Sequence, residues 1–269
     1  MSNELFLLLT HCSLLVADML MSVKRDDLVN WLDTYLNPTA FEDRSLNGLQ
    51  VEGADEVNKI AFAVDSSLRT FEQAADIGAD MLITHHGLFW GQPLAVSGMH
   101  KNRIKYLLDK DISLYASHLP LDAHPEVGNN WGLARIVGLT DLQVFGSKGI
   151  GVKGIFPNPI TLRDLANTIE KELGESVLVH AGGNLEVSSL GIVSGGAAWN
   201  IVNAAKEGLD AFITGEPLHE VFYEAFERNI NAIYAGHYMT ETVGVKLLEE
   251  KIKLEFGLAT QFILLPTGL

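Results

Sequence analysis

Short apolar runs alternate with helix-like periodicity in this chain, first between residues 60 and 117 and again between residues 190 and 265. In the first stretch the pattern predicts strands over 60–64, 81–84 and 112–117, and helices over 68–77 and 100–109. In the second stretch it predicts strands over 190–193, 211–214, 232–235 and 262–265, and helices over 201–207, 221–228 and 243–251. This alternation is typical of βαβ units with a mostly parallel sheet. The chain is therefore predicted to be an α/β protein with two α/β halves.

The two halves share an internal repeat. Residues 78–86 (GADMLITHH) align with residues 208–216 (GLDAFITGE), and residues 114–118 (LYASH) align with residues 233–237 (IYAGH). In each copy the polar residues follow the apolar run, at the end of a predicted strand. Because ligands of open parallel sheets bind beyond the carboxyl ends of the strands, each copy presents a polar rim. The repeat predicts two similar domains with one functional cleft between them.

The region between the repeats sets the predicted domain division. Strands are predicted over 151–156 and 177–180, with a helix over 161–173 that Thr161 caps. Glycine and proline make 146–154 and 156–160 the best linker candidates. We therefore predict an N-terminal extension over 1–20, a first domain over 21–140 that is completed by about 236–269, and a second domain over 141–235.

Charge and cysteine content narrow the function classes. The 34 acidic residues against 19 Lys and Arg give a formal net charge of −15, which argues against nucleic acid and anionic membranes as partners. The apolar stretch over 5–20 is shorter than the roughly 20 residues of a membrane span. It also does not fit a signal peptide, because the acidic Glu4 lies where a signal peptide has positively charged residues. The single cysteine, Cys12, excludes an intramolecular disulfide, so a reducing cytoplasm is the predicted location.

Histidines supply the candidate chemistry. Five of the nine follow predicted strands: His85, His86, His118, His219 and His237. In an extended strand the adjacent His85 and His86 point to opposite sides, so we expect a sharp turn through Gly87 to bring both to one site. Adjacent ligands of this kind suit two metal ions better than one. His124, in a loop between prolines, is expected only to shape that loop.

Two carboxylates accompany the histidines at matching spacing. Asp122 lies four residues after His118, and Glu241 lies four residues after His237 at the entry of a predicted helix, where the helix dipole favours a carboxylate. Imidazoles and carboxylates are accepted ligands of zinc, iron(II), manganese or nickel, and a pair of such ions commonly activates water. The alternative is a set of unrelated polar residues near strand ends.

Five motifs also resemble a known family. They are NGLQVEG over 47–53, THHG over 84–87, HLPLDAHP over 118–125, TGE over 214–216 and GHYMTE over 236–241. In this order they resemble the Nif-three-like dinuclear metal-binding proteins, known as GTP cyclohydrolase 1 type 2 homologues. The resemblance implies two α/β domains with two divalent metal ions between them, and toroidal homo-hexamers. It implies these metal ligands: His85, His86, Asp122, His237 and Glu241. It also places His118 beside the metals, and Asn47 and Glu216 near the cleft.

These observations lead to two functional hypotheses. The first is a metal-dependent hydrolase that acts on a nucleotide or another phosphorylated metabolite through a metal-activated water. In it, Glu241 bridges the ions, with His86 and Asp122 in one shell and His85 and His237 in the other. His118 and Glu216 are the predicted catalytic residues, as proton-transfer or orienting groups. The second hypothesis is a ring-forming regulatory or adaptor protein that holds the metals without catalysis, and ligand spacing does not separate the two.

Overall fold

The computed structural model describes residues 22–269, so the predicted N-terminal extension and Cys12 lie outside the described residues. The strands are β1 Val23–Lys24, β2 Gly48–Val51, β3 Glu56–Val57, β4 Lys59–Asp65, β5 Met81–His86, β6 Ser113–Ala116, β7 Thr140–Phe145, β8 Gly151–Thr161, β9 Leu178–Ala181, β10 Glu186–Ile192, β11 Ala211–Thr214, β12 Asn231–Tyr234 and β13 Ala259–Phe262. The helices are α1 Arg25–Leu36, α2 Leu68–Asp76, α3 Gly98–Asp109, α4 Leu119–Ala123, α5 Asn129–Ile136, α6 Leu162–Leu173, α7 Ile201–Lys206, α8 Phe222–Glu227 and α9 His237–Phe256.

The first of two large sheets has the strand order β13-β4-β5-β6-β2. Its first four strands are parallel, and β2 pairs with β6 in the antiparallel sense. Both faces are buried: Phe62 and Ile83 face a core shared with α1 and α9, while Ala61 and Leu82 face a core shared with α2 and α3. Burial on both sides explains why these strands read as continuous apolar runs in the sequence.

The second large sheet has the order β7-β8-β10-β11-β12-β9. Strands β10, β11 and β12 are parallel, and antiparallel strands flank them on both sides. The parallel strands β4-β5-β6 of the first sheet and β10-β11-β12 of the second therefore correspond, with the aligned segments of the repeat in β5 and β11 and in β6 and β12. The prediction of an α/β fold with two similar halves is confirmed. The residue numbers assigned to the domain boundaries stay predictions.

Helix α9 connects the two halves. It begins at His237, directly after β12 of the second sheet, and runs for 20 residues onto the first sheet, where it packs against β4 and β13. Its first turns contribute Met239 to a core with Ile213, and its later turns contribute Leu248 to the core of the first sheet. It is the longest helix of residues 22–269, and none of the helices in that range has the length and apolarity to cross a membrane.

Two predictions about local structure are wrong. The last strand covers Ala259–Phe262 and not 262–265, because Ala259 to Phe262 are the residues that pair with β4 once α9 has ended at Gly257. The proposed linker over 156–160 lies inside β8. That strand accommodates Pro157 and Pro159 because its pairing with β7 stops at Ile155, which leaves an edge where no backbone N–H is needed.

Candidate metal centre

The candidate site lies at the carboxyl ends of the parallel strands, where the two halves meet. His85 and His86 are the last residues of β5, and His118 follows β6 and precedes α4. Asp122 lies in α4, while His237 and Glu241 occupy the first two turns of α9. The five predicted ligands and His118 are therefore brought to one place by two strand ends and the beginnings of two helices.

Glu241 is at the centre of this cluster. Its Oε1 lies 3.1 Å from His237 Nε2 and 3.5 Å from His85 Nε2, and its Oε2 lies 3.3 Å from His86 Nε2. Asp122 Oδ1 lies 3.7 Å from His85 Nε2. The two oxygens of one carboxylate thus face different imidazoles, which is the arrangement of a carboxylate that can contact two ions.

Four imidazoles are fixed through the same ring nitrogen. His86 Nδ1 lies 2.8 Å from Asp65, His118 Nδ1 lies 2.9 Å from Asp43, and His85 Nδ1 lies 3.0 Å from the Ser117 carbonyl. His237 Nδ1 bonds to Glu216. An Nδ1–H that donates to an oxygen leaves the lone pair on Nε2, and outer carboxylates and carbonyls orient metal-binding histidines in this way. All four rings are therefore set to present Nε2 as a ligand.

The two residues predicted to be catalytic, His118 and Glu216, make different contacts in the structure. One ligand nitrogen from each of His85, His86 and His118 falls within a mutual distance of 4.8 Å, so His118 is as close to a candidate ion as the predicted ligands. Glu216 contacts His237 Nδ1 instead, which is the orienting one of the two roles predicted for it. His118 has the geometry both of a ligand and of a proton-transfer group.

Two details differ from the sequence-based hypothesis. No turn at Gly87 is needed, because His85 and His86 both remain in β5 with ring centroids 4.7 Å apart at the strand end. The distances also group the predicted ligands differently from the hypothesis. Asp122 lies next to His85, and His86 groups with His237 and Glu241. The reason is that the helix carrying Asp122 begins after β6, on the side of the site where the His85 ring is buried.

The remaining candidate histidines lie apart from this cluster. His219 is exposed in a single turn after β11. His124 bonds to backbone groups through both ring nitrogens, with Nε2 3.1 Å from the Tyr35 carbonyl and Nδ1 accepting the N–H of Glu126 and Val127. It holds the loop between α4 and α5, the role that was predicted for it.

Burial makes the cluster a candidate cation site. His85, Asp122 and Glu241 are 0%, 5% and 3% exposed. Within the described part of the chain, His85 Nε2 and Glu241 Oε2 are buried and make no hydrogen bond. Buried polar atoms without a partner carry a large desolvation cost, which a bound cation would offset by taking both lone pairs. The donor set of neutral imidazoles and carboxylates fits divalent zinc, iron, manganese or nickel.

The negative charges of the site change the titration of its members. Burial alone would lower the pKa of His85, but the charges of Asp122 and Glu241 raise it to about 9. Burial also opposes the charged form of His237, and its contacts with Glu241 and Glu216 raise the pKa to about 9. For Glu241, burial alone would raise the pKa, but the charge of His85 and the contact with His237 hold it well below its usual range.

These shifts predict a pH dependence for the metal-free protein. A histidine whose pKa rises from 6.5 to about 9 on folding adds stability that is fully present below pH 6.5 and is lost as the pH rises through 9. After chelation, the free energy of unfolding should therefore fall between about pH 6.5 and 9. Urea titrations at several pH values measure this, and His237→Gln should reduce the slope. Stability that is constant or increases across this window would contradict the prediction.

Sequence reasoning missed the carboxylates behind the imidazoles. Asp65 ends β4 and lies opposite His86 in the register of β4 with β5, so it reaches His86 Nδ1 across the ladder. Asp43 bonds to His118 and to Asn47 Nδ2, while Asn47 Oδ1 accepts the backbone N–H of His118. The position of Asp65 directly after a strand was a usable signal, whereas nothing local distinguished Asp43.

The second sheet contributes the loop that closes the site. After β10, the Ser194 hydroxyl donates to Asp122 Oδ1 at 2.9 Å, and Asn129 Nδ2 donates to the same oxygen at 2.8 Å. The next residue, Gly195, has φ +65°, and a Cβ there would overlap Glu241 Oε1. Only glycine combines this left-handed backbone with so close an approach to a buried carboxylate. The segment after β10 was not singled out from the sequence.

Comparisons with known proteins agree in family and in fold. The model of the Duf34/NIF3 (NGG1p interacting factor 3) family matches residues 23–266. A Deinococcus radiodurans protein named GTP cyclohydrolase 1 type 2 homolog is 50% identical over 250 residues, covering 92% of this chain and 95% of that protein. A Pyrococcus horikoshii protein of the same name is 47% identical over 249 residues, covering 91% and 99%. The crystal structure of TTHA1606 from Thermus thermophilus has a TM-score of 0.87 at 46% identity, covering 92% of this chain and 100% of that chain.

Proposed function

Because the chain belongs to the Duf34/NIF3 family and gathers imidazoles and carboxylates at one cleft, we propose that it is a dinuclear metal-dependent hydrolase. Its substrate is a nucleotide or another phosphorylated metabolite. The relatives are named GTP cyclohydrolase 1 type 2 homologues, a name that is compatible with hydrolysis of a purine nucleotide. Cyclohydrolase chemistry needs an activated water and no redox partner, which agrees with the residues present.

One observation carries the proposal: the ligand atoms are buried on one side of the cluster and border open space on the other. His85 Nε2 and Glu241 Oε2 are buried without a hydrogen-bond partner in residues 22–269. His86 and His237 line a cavity of about 910 Å³, and with Glu241 they also line a smaller one of about 230 Å³. A structural metal site is closed by protein ligands, whereas a catalytic site keeps an accessible position. The cavity provides that access.

Each residue of the site has a specific role in the proposed function. His85, His86, Asp122, His237 and Glu241 would hold two divalent ions, which when bound supply Lewis acidity and lower the pKa of water. Glu241 would contact both ions, because its oxygens face different imidazoles. Ser194 and Asn129 hold Asp122 in place, and Glu216 orients His237.

His118 is the residue proposed to move a proton. Asp43 holds its Nδ1, so Nε2 is the nitrogen that faces the cluster and can accept a proton or return it. Burial alone would raise the pKa of Asp43, but its hydrogen bonds from His118 and Asn47 keep it well below the usual range. Asp43 is therefore an anion that accepts a hydrogen bond from His118 Nδ1 and fixes the imidazole ring.

The proposal is tested by purifying the protein anaerobically, counting its metal ions and screening hydrolysis of nucleotides and other phosphorylated metabolites. We expect two ions per chain, with turnover that disappears on chelation and returns when the metal is restored. Elemental analysis and product detection on the same samples provide both measurements. Two ions per chain with no turnover of any compound in the screen would contradict the proposal.

That contrary result would favour the second candidate, a regulatory or adaptor protein whose ions are structural. The near-complete burial of His85, Asp122 and Glu241 is the observation in its favour, because structural ions are enclosed. Assembly into a toroidal hexamer and a cytoplasmic location stay predictions under both candidates.

A further inference from the structure

The larger cavity at the candidate site extends well beyond the metal ligands. It encloses about 910 Å³, and its lining runs from His86 and His237 to Arg69 and Arg103, on helices α2 and α3. These helices pack against each other on one face of the first sheet. Two of the candidate metal ligands and the two arginines therefore border the same cavity.

The two arginines have no carboxylate partner among the described residues. Neither forms an ion pair within 4 Å in residues 22–269, although the chain carries 34 acidic residues against 19 Lys and Arg. Arg103 Nε is buried and also makes no hydrogen bond within that part of the chain. The carboxylate that lines the cavity, Asp65, bonds to His86 Nδ1. Leaving this one N–H unsatisfied is costly, which favours an anionic ligand beside Arg103, and the exposed Arg69 adds a second positive charge to the lining.

The lining of this cavity also includes the aromatic ring of Trp90. Trp90 lies 5.7 Å from the His86 ring and 5.1 Å from the His118 ring, and its indole N–H donates to the Gly87 carbonyl at 3.0 Å. This bond fixes the plane of the ring. Leu264 and Pro266 line the same cavity. A ligand in this cavity can therefore place an apolar or planar body against Trp90, Leu264 or Pro266.

We infer that Arg69 and Arg103 form an anion subsite that holds the phosphate group of the substrate, with the body of the substrate against Trp90. The inference rests on the proposed function, since it takes this cavity as the substrate site. Two guanidinium forks match the geometry and the double charge of a phosphate monoester better than the single charge of a carboxylate. The subsite selects phosphorylated compounds, and the arginines determine specificity without taking part in the reaction.

Calorimetric titration with phenyl phosphate tests the subsite on the metal-loaded protein. Arg103→Met should weaken binding by about tenfold or more, because a charge-assisted hydrogen bond is lost, and Arg69→Met combined with it should weaken binding further. Arg163→Met is the matched control, since Arg163 is exposed on α6 outside this cavity and should leave the Kd unchanged. Arg103→Lys keeps the charge and should retain part of the affinity. Thermal melting of each variant establishes that it is folded.

Three outcomes would overturn the inference: no binding of phenyl phosphate to the wild type at millimolar concentration, an unchanged Kd in the double variant, or equal affinity for benzoate. Metal content measured on the same samples distinguishes failure of the anion subsite from failure of the proposed function. A protein that holds two ions but shows no arginine-dependent binding refutes the subsite alone. A protein without metal ions that still binds phenyl phosphate through the arginines refutes the dinuclear site alone.

Discussion

Replacing Glu241 with Gln is expected to remove about one ion or more per chain and to abolish metal-dependent turnover. A carboxylate between two ions is attracted by both positive charges, whereas a neutral amide offers one weak donor oxygen. Glu241 is central to the cluster, with contacts of 3.1 to 3.5 Å to three imidazoles. The substitution removes the carboxylate whose two oxygens face different imidazoles of the site. Elemental analysis of the purified variant measures the effect.

His124→Ala is the matched control for this prediction. His124 is a partly buried histidine in the motif that contains His118 and Asp122, but its ring nitrogens bond to backbone groups of its own loop and to the Tyr35 carbonyl. It should therefore keep the full metal content even if its thermal stability falls. Full occupancy in Glu241→Gln would exclude the bridging role, and loss of metal in His124→Ala would mean that the ligand set is assigned wrongly.

The second large effect is expected at His118. His118→Asn should keep both ions and lower turnover by about 10²- to 10⁴-fold, because asparagine cannot accept and return a proton at the position of Nε2. Asp43→Asn should lower turnover less, since the imidazole remains but loses the anion that fixes it. Turnover and metal content are measured on the same samples.

The two measurements distinguish the roles that the geometry allows for His118. Loss of one ion in His118→Asn would make His118 a ligand, which its position within 4.8 Å of the other imidazole nitrogens permits. Full metal content with full turnover would remove the proton-transfer role and with it much of the argument for hydrolysis at this cleft. Only full metal content with reduced turnover supports the proposed mechanism.

The sequence alone determined the α/β fold, the internal repeat and the candidate ligands. Strands buried on both faces must be apolar throughout, so β4, β5 and β6 are visible in the sequence as apolar runs. The polar candidate residues follow at the point where each run ends. The position of His86 at the end of β5 and of His237 after β12 is local information of this kind. The spacing of four residues from His118 to Asp122 and from His237 to Glu241 indicated the two carboxylates, and the family motifs agreed with them.

Only the tertiary structure decided which residues support these ligands. Asp43 is 75 positions from His118, and Ser194 is 72 positions from Asp122, so no periodicity links them. Their contacts depend on strand register, on the loops that follow β10 and precede β2, and on the path of α9 across both cores. The presence of Arg69 and Arg103 in the lining of one cavity likewise requires α2 and α3 to pack together. Local pattern encodes where a strand ends, whereas long-range packing decides which side chains meet there.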